Sequence, residues 1–319
     1  ATDLRGPYLL HEGCPLPAGG IGCRLAAYSE VVRAVVDLGM TLVCQPSNWG
    51  CGGHGYNYCG GMIGCTNTTA VGEMAALSAV SHMKRIGTTM KELRSLETLP
   101  TDVVYSVPQM EGCVGTSGPR FHGSWMWFRS QFREARLRDP RRRAARCWGE
   151  SGPATKRIAV NIRRGDDPHK GYPVATYTGL LDMLFSRGVS GVRAEAAGSH
   201  IAVLSEVPAD DPEPRAFDKY RKRSSRVSYH LGSACEGNTL IDSCWERLED
   251  DMDCMATSDI LLISHGLYST LAVAVQDGGV SLVLKHDRVP APNAHNVDKE
   301  PRVKRSGDIP NEIDVFIGG

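Results

Sequence analysis

The sequence predicts an α/β protein of two domains, the second of them Rossmann-like, and three observations lead there. A chain of 319 residues exceeds the usual single domain of about 100 to 200. Its 41% apolar and 23% charged residues are close to globular averages, which excludes disorder as the main state. From Arg157 onward, short apolar runs alternate with helix-length segments, the pattern of a parallel sheet with right-handed crossovers.

The elements follow in chain order. After Gly19-Gly20-Ile21-Gly22, the residues Leu25, Tyr28, Val32, Val35 and Val36 form an amphipathic helical stripe. Gly39 ends it, and Thr41 to Cys44 reads as a strand. Ala75 to Ile86 reads as a further helix. Residues 121–147 hold Trp125, Trp127 and Phe128, then eight arginines between Arg129 and Arg146. That run is a solvated helical face or a polyanion contact.

The domain boundary is placed near Gly149 to Thr155, giving residues 1–150 and 151–319. Beyond it, Arg157 to Arg163 is a strand, Thr176 to Phe185 a helix and His200 to Leu204 a strand. Phe217 to Arg223 is a helix, Arg226 to His230 a strand and Thr239 to Ala256 a helix. Asp259 to Ser264 is a strand, Tyr268 to Gln276 a helix and Val280 to Lys285 a strand. Residues 287–310, proline-rich and charged, read as an extended tail. In such a sheet the ligand sits outside the carboxyl ends of the strands.

Charge excludes some partners. Lys plus Arg and Asp plus Glu are 36 each, so no overall positive field recruits nucleic acid or anionic lipid. No apolar run approaches the roughly 20 residues of a membrane-spanning helix. Eleven cysteines point to an oxidising compartment, because Cys14, Cys23, Cys44, Cys51, Cys59 and Cys65 crowd the first 65 residues. Zinc is the competing explanation, but Cys51, Cys59 and Cys65 form no C-x2-C pair and His54 lacks a partner at ligand spacing. The odd count leaves one thiol free or bonded to another chain. Asn67-Thr68-Thr69 is a glycosylation sequon beside the cluster. The chain starts Ala1-Thr2-Asp3, so a leader or anchor is expected to have been removed or to lie outside these residues. A secretory lumen, Golgi or endoplasmic reticulum, or the extracellular space is the expected location.

Two motifs carry candidate chemistry. Asn161-Ile162-Arg163-Arg164-Gly165-Asp166 ends a strand. One guanidinium there can fork onto phosphate oxygens while a carboxylate fixes the other; the bland alternative is a salt-bridged strand end. The second motif runs from Asp251 through Asp259 to Ser264-His265-Gly266-Leu267-Tyr268-Ser269. A strand leading through such a turn into a helix presents free backbone N–H groups suited to phosphate.

At these motifs the chain resembles the fucosyltransferase superfamily that uses GDP-fucose, the α1,2, α1,6 and protein O-fucosyl enzymes. The family's His-x-Arg-Arg-x-Asp is matched by Asn161, Arg163, Arg164 and Asp166. Its later acid, strand-opening Asp and Ser-rich turn are similar to Asp251, Asp259 and Ser264 to Ser269. Its amino-terminal Gly-x-Gly-Asn is echoed by Gly20-Ile21-Gly22-Cys23. The resemblance implies a GT-B-like fold, two Rossmann-like domains facing a cleft, and an inverting transfer of fucose from GDP-fucose to a glycan or protein acceptor. It implies that Arg163 neutralises the β-phosphate of GDP, with Arg164 and Asp166 buttressing it as the catalytic group. Asn161 and Asp251 would contact guanine, and Ser264, Gly266, Tyr268 and Ser269 would cradle phosphate. No metal and no further cofactor is implied. Asp251-Met252-Asp253 has the D-x-D form that holds a cation elsewhere, but residues two apart on a helix do not share a face.

Asn161 in place of His, Cys23 in place of Asn, and Gly266-Leu267 in place of two serines depart from the family pattern. They motivate a rival reading, a degraded site in a carbohydrate-binding or structural assembly subunit. A transferase using another sugar nucleotide is the third reading. The acceptor base is left among Glu12, Asp167 and His169.

Overall fold

The structure, a computed structural model, describes residues 6–11, 35, 37–43, 70–71, 81–107, 147–149, 155–163, 172–189, 191–223, 225–232, 250–264, 272–273, 275–276, 278–284 and 313–317. The chain divides into two compact units, Ala1–Arg138 with Gly237–Leu240, and Asp139–Glu236 with Ile241–Gly319.

The first unit holds a parallel sheet of five strands: β1 (Tyr8–His11), β2 (Thr41–Val43), β3 (Ala70–Val71), β4 (Lys84–Gly87) and β5 (Val103–Val107), ordered β3-β2-β1-β5-β4. Tyr8, Leu10, Val43 and Val104 pack together on one face. Gly39 ends the preceding helix as expected. It takes φ +61° while the Met40 N–H donates to the Val35 carbonyl at 2.9 Å, the closing bond of a left-handed helix end.

The expected helix from Ala75 to Ile86 is corrected at its carboxyl end, because Lys84–Gly87 is strand β4. Met83 and Ile86 have helical spacing, but the backbone pairs in parallel with β5, Ile86 opposite Tyr105. This long-range pairing overrides local periodicity. A short helix α1 (Met90–Ser95) follows, set by a capping box. The Thr89 hydroxyl accepts from the Glu92 N–H at 3.1 Å, and the Glu92 carboxylate accepts from the Thr89 N–H at 2.8 Å.

The second unit holds six strands: β6 (Lys156–Ile162), β7 (Ser199–Ser205), β8 (Arg226–Leu231), β9 (Ile260–Ser264), β10 (Val280–Leu284) and β11 (Ile313–Ile317). Their order is β11-β10-β9-β6-β7-β8, all parallel except β11, which pairs antiparallel with β10. The five expected strands of this half are β6 to β10. Strand β11 lies beyond the expected tail and closes the sheet edge.

The two faces of this sheet can be told apart by alternation along each strand. Ile158, Val160 and Ile162, with Ile201, Val203, Val227, Ile260, Leu262, Leu282 and Leu284, form one apolar face. Helix α2 (Val174–Ser186) buries Val174, Tyr177, Leu180, Leu181 and Leu184 against it. This stripe at helical spacing carries most of the segment's burial. The 3-10 helix Glu213–Arg223 adds Phe217 and Tyr220, and the Tyr220 hydroxyl donates to the Thr178 carbonyl at 2.6 Å.

The opposite face carries the segment 147–149 and the helical residues 250–256. Cys147 is disulfide-bonded to Cys254, with Cα atoms 6.0 Å apart. Ser228 donates to the Cys147 carbonyl at 3.2 Å. The Trp148 indole donates to Thr257 at 2.8 Å and meets the His200 ring edge-on at 5.3 Å. Among the described residues, no helix is long and apolar enough to cross a membrane.

Candidate functional site

Reading the second sheet outward from β6, the strands run β6, β7, β8 in one direction and β6, β9, β10 in the other. Crossovers from β6 and β9 therefore depart to opposite sides, leaving a crevice at their carboxyl ends, where open α/β sheets bind ligands. Both motifs read from the sequence meet there. Asn161-Ile162 ends β6 with Arg163 directly after it, and Ser264 ends β9.

Asn161 lies opposite Ile263 on β9 and Leu204 on β7, so its side chain is on the face away from α2. It is half-buried, as is Arg163. Ser264 is one step further along β9 and points to the α2 side. Its side chain is fully buried, and among the described residues its hydroxyl has no hydrogen-bond partner. Ser205, at the end of β7, instead donates to the Ile162 carbonyl at 2.9 Å and ties the two strand ends together.

Asp251 is a half-buried residue of the helical stretch 250–256. It stands three residues before Cys254, hence on the same side of the helix, the side bonded to Cys147. Asp253 is 1% exposed and faces elsewhere around the helix. Among the described residues, no three His, Cys, Asp or Glu side chains cluster as metal ligands would.

Asp259 has a different task, at the opposite edge of the sheet. Its carboxylate accepts from the Arg157 N–H at 2.7 Å, its own N–H donates to the Arg157 carbonyl and its carbonyl accepts from the Val280 N–H, both at 2.9 Å. It clamps the amino ends of β6, β9 and β10. Nearby, the Gln276 amide donates to the Ser258 carbonyl at 3.0 Å and accepts from Ser281. A Cβ on Gly279 would collide with both Gln276 and Ser258.

Arg164, Asp166, Gly266, Tyr268 and Ser269 lie outside the described residues, as do Glu12, Asp167 and His169, the six clustered cysteines, the sequon and the arginine run. Two features escaped sequence reasoning. The Cys147–Cys254 bridge spans 107 residues, so no local spacing announces it. His230 sits at the end of β8, in the same cross-strand row as Asn161 and Leu204, and only the register reveals it. His200 is buried under Trp148. Desolvation first, then the positive charge of Arg226, pushes its imidazole down to about 4, so it is neutral at physiological pH. Burial, then the hydrogen bond to Asp218, raises the Tyr229 phenol.

No family model and no curated protein matches the chain. Among solved structures, it is similar to the fucosyltransferase NodZ from Bradyrhizobium at 10% identity and a TM-score of 0.52, over 98% of this chain and 99% of that one. It also matches a mutant of Arabidopsis thaliana FUT1 in complex with GDP at 9% identity and a TM-score of 0.44, over 99% of this chain and 85% of that one. The chain thus has an α/β, GT-B-like fold, similar along its whole length to that of a fucosyltransferase.

Proposed function

We propose that the chain is an inverting glycosyltransferase that moves fucose from GDP-fucose to a glycan or protein acceptor. The observation that carries this reading is the meeting of Asn161, Arg163 and Ser264 at the β6–β9 crevice, in a fold similar to that of NodZ.

In this reading Arg163 neutralises the β-phosphate as the bond to the sugar breaks, an electrostatic contribution that dominates such transfers. Arg164 and Asp166 hold that guanidinium in place. Asn161 and Asp251 recognise guanine. The hydroxyls of Ser264 and Ser269 and the backbone from Gly266 to Tyr268 receive the phosphates. No cation is required, because the arginine and the amides supply the positive charge. One of Glu12, Asp167 and His169 takes the acceptor proton. The Cys147–Cys254 bridge supports a secretory or extracellular location, where disulfides persist.

The rival reading, a carbohydrate-binding or assembly subunit, is favoured by Asn161 standing where the family has His. Calorimetry with GDP, UDP and ADP, with and without excess EDTA, separates the readings. A transferase of this kind binds GDP at about micromolar Kd, roughly −8 kcal/mol, and EDTA leaves that unchanged. Preference for UDP would indicate another sugar nucleotide, and no nucleotide binding would indicate the assembly subunit.

A further inference from the structure

The 3-10 helix Glu213–Arg223 repeats every three residues, so its side chains stand in three rows. Pro214, Phe217 and Tyr220 form the buried row. Arg215, Asp218 and Arg221 form the second, which lies along Tyr229 of β8. The Arg215 guanidinium is 4.5 Å from the centre of that ring and the Arg221 guanidinium 5.8 Å. Arg221 also pairs with Asp218 at 3.0 Å and donates to the Val227 carbonyl at 3.0 Å. Lys219 and Lys222 stand in the third row, and Arg223 continues the first. Lys219 and Arg223 both reach Asp182 of α2, at 2.6 and 2.9 Å, and both lie over the Tyr220 ring, at 5.0 and 5.7 Å from its centre.

Five exposed cations thus stand against three carboxylates, those of Asp182, Glu213 and Asp218. Asp182 serves two of the cations, and among the described residues neither Arg215 nor Lys222 pairs with a carboxylate. Rings and backbone hold the guanidiniums in place, so binding an anion costs little further side-chain ordering. Exposed ion pairs are worth about 1 kcal/mol or less, so an incoming polyanion displaces them readily. The last turn, Arg221-Lys222-Arg223, lies beside the first residues of β8, at the amino edge of the sheet and away from the β6–β9 crevice.

We propose that this surface docks a sulfated polysaccharide, independently of the nucleotide-sugar reading above. Clusters of Lys and Arg of this kind bind nucleic acid or heparin-like chains, and guanidinium forks match oxyanions in bidentate fashion. Single-stranded nucleic acid needs open aromatic faces for base stacking, whereas Tyr220 is buried and Tyr229 is taken up by two guanidiniums. A membrane-surface helix inserts apolar side chains beside its charges, and this helix has no exposed large apolar residue. The same feature disfavours a protein partner, which would need apolar or aromatic anchors. A chain that is hydrophilic and densely anionic matches the surface.

The test is calorimetry with a heparin oligosaccharide, its desulfated counterpart, a short DNA duplex and phosphatidylserine vesicles. Wild type is expected to bind the sulfated chain most tightly, with affinity falling steeply as salt is added. The double variant Arg215→Gln, Lys222→Gln loses about tenfold or more in Kd. Lys84→Gln with Lys91→Gln, which removes as much charge from exposed positions of the first unit, keeps wild-type affinity. Thermal scans establish that both are folded; should the first not fold, Lys222→Gln alone carries the comparison and loses part of the affinity. Absence of wild-type binding, unchanged affinity in the first variant, or equal loss in both double variants would overturn the surface as a docking site. DNA, vesicles or the desulfated chain bound as tightly as the sulfated one would overturn a sulfated polysaccharide as its partner.

Discussion

Asn161 and Ser264 end neighbouring strands of one parallel sheet yet point to its opposite faces, because Asn161 is paired with Ile263 and side chains alternate along a strand. A ligand touching both must sit over the strand ends, in the crevice opened by the reversal of strand order between β6 and β9. In the proposed reading the nucleotide spans that position, with Asn161 at the guanine and Ser264 at the phosphates.

Ser264→Ala tests that position by sign. The buried hydroxyl lacks a partner among the described residues, so its removal leaves the ligand-free protein as stable or more stable by about 1 kcal/mol. The same change weakens GDP by about 1 kcal/mol, roughly fivefold. Urea unfolding and calorimetry on one sample check both; a destabilised variant with unaltered GDP affinity would contradict the assignment.

The Cys147–Cys254 bridge closes a loop of 107 residues, for which the chain-entropy model gives about 5 kcal/mol. Replacing both cysteines by serine should lower the melting temperature by roughly 10 to 20 °C. Both cysteines are buried, so the bridge should resist reductant in the folded protein. Non-reducing peptide mapping and thermal scans check this. Free thiols at both positions in native protein would refute the pairing.

His200 predicts a loss of stability in mild acid. Its folded pKa is near 4 because of burial, below the usual 6.5 or so of an unfolded imidazole. Between these values the unfolded chain binds a proton that the native state refuses, so stability falls as pH drops through that window. The slope is at most about 1.4 kcal/mol per pH unit. His200→Gln, which can still bond to Ser228, should flatten it. Urea titrations at several pH values compare the two, and equal slopes would remove His200 as the cause.

The second half of the chain was legible because β6, β7, β9 and β10 are short apolar runs, buried on both faces and separated by helix-length segments. In the first half, Tyr8–His11 and Val103–Val107 are as short and nearly as apolar. The sequence reading passed over them because no regular alternation of elements flanked them. Lys84–Gly87 misled because an edge strand with one partly buried apolar residue carries no period-two signal, so only its pairing with β5 defines it. Of the candidate site, Asn161, Arg163 and Ser264 were legible as strand ends. The place of His230 in one row with Asn161 was not, since it comes only from the register of β6, β7 and β8.

The most direct test of the account is a GDP titration of Arg163→Ala and Arg163→Lys against wild type. Arg163 follows β6 at the crevice, where its planar fork would meet the β-phosphate with a pair of charge-assisted bonds that lysine cannot reproduce. Losing that pair costs about 1.5 to 3 kcal/mol, roughly tenfold or more in Kd. Both variants should therefore show it, with lysine giving little rescue. GDP affinity unchanged in both would contradict the placement of the nucleotide diphosphate at the β6–β9 crevice.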